Sequence, residues 1–125
     1  MVQTDISQLS RECNQWRERL HSYRDEFNQL KSKLQQAVNK SLSKDQRTDL
    51  EHYQNQLHIQ LINIHDLKHS IKTHEKRIEQ ESASGDIAED NYTLHEELLN
   101  EFLSLENTLQ EVRNEFKTFI SATSC

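Results

Sequence analysis

The chain has 125 residues with no proline, one glycine, 33% hydrophobic and 29% charged residues, and a formal charge of −6. That length suits one domain, and the near absence of Gly and Pro removes the punctuation of hairpins and sheets, so an all-α fold is expected. The acidic balance argues against nucleic acid as a partner, since phosphates are bound by clustered Lys and Arg, and no apolar run approaches the ~18 residues that cross a bilayer.

The first helix is legible from spacing alone. Ile6, Leu9, Cys13, Trp16, Leu20, Tyr23, Phe27, Leu30, Leu34 and Ala37 step three and four residues apart without a break. Such a heptad seam stays on one side of an α-helix and is buried against other helices, as in a coiled coil. Thr4 or Asp5 can cap its start, and its seam fades after Ala37. Trp16, Tyr23 and Phe27 read as core, because a cofactor stripe would need a cavity that close packing does not leave.

The stretch from Lys40 to Gln46 reads as a turn in which Ser43 and Gln46 have the spacing of a capping box. A second helix follows, with Leu50, Tyr53, Leu57, Ile64, Leu67, Ile71 and Ile78 in its seam and Gln60 and His74 at the two polar seam positions. Leu61 widens that stripe. The only glycine, Gly85, is expected to cap the end of this helix with positive φ, and Asp86 with Glu89 to open the next. In the third helix Leu98, Phe102, Leu105, Leu109, Val112, Phe116 and Phe119 form the seam, and Ile87, Leu94, Leu99, Leu103 and Ile120 are expected to broaden it. Its glutamates, among them Glu96, Glu97, Glu101, Glu106, Glu111 and Glu115, read as a solvated face.

The three seams predict a single domain over 1–125, an elongated antiparallel three-helix bundle running up-down-up, with helices over roughly 5–40, 44–81 and 86–121. At 1.5 Å per residue each helix spans roughly 50 Å. In outline, a long three-helix bundle with a tryptophan in its first helix is similar to spectrin-type repeats. A shared outline carries no activity across.

Metal chemistry is the sharpest candidate. Pairing the helices about Ser43 and Gly85 places His74 beside the seam residues Cys13 and His95, so a thiolate and two imidazoles are expected in one layer near one end of the bundle. Zinc or a similar divalent metal suits that donor set, with Glu12, Glu75 or Glu96 as a fourth ligand or outer partner. The same three residues also suit a plain register-fixing polar layer. His65 and His69 share one face four residues apart but point outward, a weak surface pair beside the other histidines of this helix, His52 and His58. Glu18 and His21 have the spacing of a di-iron ligand pair, yet both fall outside the seam and no second Glu-x-x-His occurs.

Catalysis is not expected, since a Cys/His nucleophile needs an oxyanion pocket and a chain nearly without loops offers none. The main expectation is a structural or protein-interaction bundle; metal binding through the Cys/His layer is the alternative. Ile59 and Ile62 lie off the seam at the middle of the second helix, flanked by Asn55 and Asp66, and suit contact with a protein partner or with a second copy in a homodimer. No signal-like or membrane segment is recognised, and Cys13 and Cys125 make no disulfide framework. Both points lead to the expectation of a cytoplasmic protein.

Overall fold

A computed structural model of the chain describes residues 6–38, 42–85 and 87–123. They form three α-helices, α1 (Ile6–Val38), α2 (Lys44–Ser84) and α3 (Glu89–Thr123), and no strand among the described residues. The expected all-α three-helix bundle is the observed fold. Helix direction follows from the pairs that meet. Along α1 from Glu12 through Arg19 to Glu26, the partners on α3 advance from His95 through Glu106 to Arg113, so these two helices run parallel. α2 opposes them, since its early Tyr53 ring meets Phe116 and Phe119 while its late His74 meets His95.

The seams are the core. Cys13, Leu20 and Phe27 of α1, Leu57, Ile64, Ile71 and Ile78 of α2, and Leu109 of α3 are fully enclosed. Each such Leu, Ile or Phe contributes roughly 1.5–3 kcal/mol by leaving water. Tyr23, Tyr53, Leu105 and Phe119 pack against the core while remaining partly exposed. None of the helices is long and apolar enough to cross a membrane, among the described residues.

Helix ends follow local chemistry. The Ser43 hydroxyl accepts from Gln46 N–H at 3.1 Å and the Gln46 side chain accepts from Ser43 N–H at 2.9 Å, the expected reciprocal cap. Gly85 adopts φ 99° and donates its N–H to Ser82 O at 3.1 Å, ending α2 three residues later than expected. The start of α3 is likewise later, at Glu89, because a residue of α2 reaches over it. Glu81 accepts from Ala88 N–H at 2.6 Å and from the Asn91 side-chain amide at 2.5 Å. The proposed caps at Thr4, Asp5 and Asp86, the turn residues Lys40 and Ser41, and Cys125 lie outside the described residues.

Two expectations for α3 are corrected. Leu99 and Leu103 do not broaden the buried face; they are 37% and 50% exposed. Each follows a seam residue, Leu98 or Phe102, and the 100° advance per residue carries it to the flank of Glu106, past the edge of the core. Glu106 in turn is no solvated glutamate: its carboxylate pairs with Arg19 of α1 and accepts from the Tyr23 hydroxyl at 3.0 Å.

Candidate metal centre

Each helix delivers one metal-ligating side chain to the same layer. Cys13, His74 and His95 are 0%, 1% and 6% exposed, and their donor atoms lie within 4.8 Å of one another. His74 Nε2 stands 3.0 Å from His95 Nδ1, which stands 3.9 Å from Cys13 Sγ. These are the three residues that the seam pairing predicts. Their convergence has a local cause, because all three occupy seam positions and helices joined near Ser43 and Gly85 hold those positions at one level.

The surroundings fix the imidazoles. The indole of Trp16, three residues after Cys13 on the same seam, lies against the His95 ring with centroids 4.7 Å apart. On the outer edge of that ring, Nε2 meets Glu12 Oε1 at 2.9 Å. A carboxylate there keeps the proton on Nε2 and turns the Nδ1 lone pair toward Cys13 and His74, as outer partners of metal-bound histidines do. With His95 Nδ1 an acceptor, His74 Nε2 donates to it, and His74 Nδ1 is left buried with no hydrogen-bond partner. A groove of about 330 Å³ between α2 and α3, lined by Ser70, Thr73, His74 and Arg77 among others, borders this residue.

Protonation states follow from burial. Loss of hydration, reinforced by His95 and Arg77, pushes the His74 pKa down to about 4, so the ring is neutral and able to ligate near neutral pH. Burial, with the Glu75 and Glu12 carboxylates nearby, pushes the Cys13 thiol up to about 12. It is therefore a thiol until a cation displaces its proton.

The donor set fits a single ion. Bonds of 2.0–2.3 Å from one centre require donors about 3.6 Å apart, so the present spacings need only small side-chain shifts. The remaining candidates are placed elsewhere. Glu12 serves His95 from outside, Glu75 holds Arg17 through contacts of 2.5 and 3.3 Å, and Glu96 is exposed. His65 and His69 are exposed on α2, and the outward His21 lies 3.5 Å from Asp25. Asn55, Ile59, Ile62 and Asp66 are all exposed, as their off-seam positions require, with Asp66 at the rim of a groove of about 600 Å³ between α2 and α3.

Two residues of this end of the bundle escape the sequence reading. Asn91 is buried at a seam position four residues before His95, and Glu81 bonds to it. The spacing of Asn91 to His95 and Leu98 was the available signal; an exposed-looking Glu81 gave none. Compared with family models, curated proteins and solved structures, the chain matches none of them.

Proposed function

We propose that this bundle binds a metal ion within its core through Cys13, His74 and His95. The observation that carries the reading is the meeting of one thiol and two imidazoles, one from each helix, within 4.8 Å in a buried layer. The unpartnered Nδ1 of His74 can take up the ring proton, which frees Nε2 to bind an ion. The protein acts by holding the ion and not by catalysis, because all three donors are shielded from any substrate. Ion binding ties the three helices together, so metal supply sets how firmly the bundle is folded. The cytoplasm, where thiols stay reduced, suits this chemistry.

Protein stripped with a chelator and titrated with Zn2+ or Cu+ is expected to take up one ion per chain and melt at a higher temperature, and His74→Ala to lose both effects. An unchanged midpoint with both ions, or an equal rise in the variant, overturns the reading.

A second reading is favoured by a separate observation. Ile59 and Ile62 are 46% and 45% exposed side by side on α2, which suits a helix-face contact with a protein partner or in a homodimer. Sedimentation of the parent beside Ile59→Glu/Ile62→Glu tests self-association through this face: a monomer at all concentrations excludes the homodimer.

A further inference from the structure

Building on the metal reading, we propose that the ion is monovalent copper, held in a three-coordinate site by the Cys13 thiolate, His74 Nε2 and His95 Nδ1.

Donor number is the first argument. Three donors converge, and the nearest carboxylates are engaged on other partners, Glu12 at the outer nitrogen of His95 and Glu75 on Arg17. Structural zinc almost always takes four ligands and the layer supplies three; a groove borders His74, but the donor residues themselves are no more than 6% exposed, which disfavours a water as the fourth. Thiolate suits both ions, but monovalent copper is content with three ligands.

Charge is the second. When Cu+ binds, the Cys13 S–H bond breaks, a copper–sulfur bond forms and that proton leaves to bulk buffer, while the proton on His74 Nε2 passes to the unpartnered Nδ1 of the same ring and frees Nε2 to ligate. One single positive charge replaces another, so the net charge of the buried layer is unchanged. Exchanging the same proton for Zn2+ adds a charge to a desolvated core, which is costly. The carboxylate at His95 helps any cation, but Glu12 is 36% exposed and its help is weakened by solvent.

The layer also carries its own probe. Trp16 is the only tryptophan and lies tilted against the His95 ring, centroids 4.7 Å apart. The full chain, carrying His65→Gln/His69→Gln to remove the surface histidine pair and Cys125→Ser so that Cys13 is the one thiol left, is stripped and titrated anaerobically with Cu+ in acetonitrile and separately with Zn2+. Trp16 emission, thermal midpoint and X-ray absorption are recorded. The expected result is one Cu+ per chain with one sulfur and two nitrogens bound to it, a raised midpoint, and Zn2+ held at least about tenfold more weakly. Tighter binding of Zn2+, a fourth ligand on copper, or copper without sulfur overturns the copper assignment while the metal reading stands. Failure of both ions to bind overturns both. Cys13→Ser is expected to lose Cu+ uptake; the sulfur signal in the parent carries the same test if that variant does not fold.

Discussion

His95 is held from both sides: its Nδ1 lies 3.0 Å from His74 Nε2 and its Nε2 2.9 Å from Glu12 Oε1. A carboxylate on α1 thus orients a ring on α3 that in turn accepts a hydrogen bond from α2. The chain of contacts ends on His74 Nδ1, which has no partner. Replacing Glu12 by Gln keeps an acceptor for the His95 proton but removes its charge. Metal affinity is expected to fall about tenfold with the same ligands bound. Titration followed by Trp16 emission measures it, and an unaltered affinity would show that the charge of Glu12 does not act on the ligands through His95.

The same contacts predict an unequal response to losing one imidazole or both. His74→Ala leaves a cavity in the core and deprives His95 of its donor, so we expect the metal-free protein to lose about 2–4 kcal/mol. His74→Leu/His95→Leu removes both polar rings and refills the space, and is expected to match the metal-free parent within about 1 kcal/mol. Urea denaturation with a chelator present reads both. A double variant as weak as the single one would mean that the histidine pair itself stabilises the fold.

Helix ends give a local test. Ser43→Ala removes the hydroxyl that accepts from Gln46 N–H, and a loss of about 1 kcal/mol is expected. At Gly85 a methyl group meets no atom within 4 Å, so the cost of Gly85→Ala comes from its φ of 99° alone and should also be about 1 kcal/mol. Equal urea midpoints for parent and variants would contradict these roles.

Acid stability should depend on Glu81. The Ala88 N–H, and then the Asn91 amide, hold its carboxyl below the usual value of 4.5. In the unfolded chain Glu81 takes up its proton at the higher pH, so its contribution is complete well above 4.5 and is lost as pH falls through that value to the folded one. Glu81→Gln is expected to flatten this part of the acid limb in urea melts taken at successive pH values. Identical limbs would show that the bonds to Ala88 and Asn91 do not favour the ionised form.

The fold was legible because seam spacing and turn chemistry agreed. Ser43 with Gln46, and Gly85, are residues whose preferred local geometry is the geometry found. The Cys/His layer was legible for a related reason, since placing two turns sets the level at which Cys13, His74 and His95 meet. What spacing left out was breadth and side-chain reach. Leu99 and Leu103 have the composition of core but the angular position of a flank, and composition alone cannot separate the two. Glu81 has a side chain long enough to reach the first turn of the next helix, a contact that depends on the angle at which α3 departs.

The separations along the chain also imply an order of assembly. His74 and His95 are 21 residues apart, on neighbouring helices joined by a short turn, whereas Cys13 and His95 are 82 apart. Closing the longer loop costs about 1 kcal/mol more entropy, so within this layer the imidazoles of α2 and α3 are expected to pair before the sulfur, far from the α1–α2 turn, reaches them. Trp16 comes in with α1 and lands on His95, and its emission therefore times that last docking. In stopped-flow refolding the Trp16 signal should lag the growth of helical circular dichroism; simultaneous signals would mean that the three helices close as one.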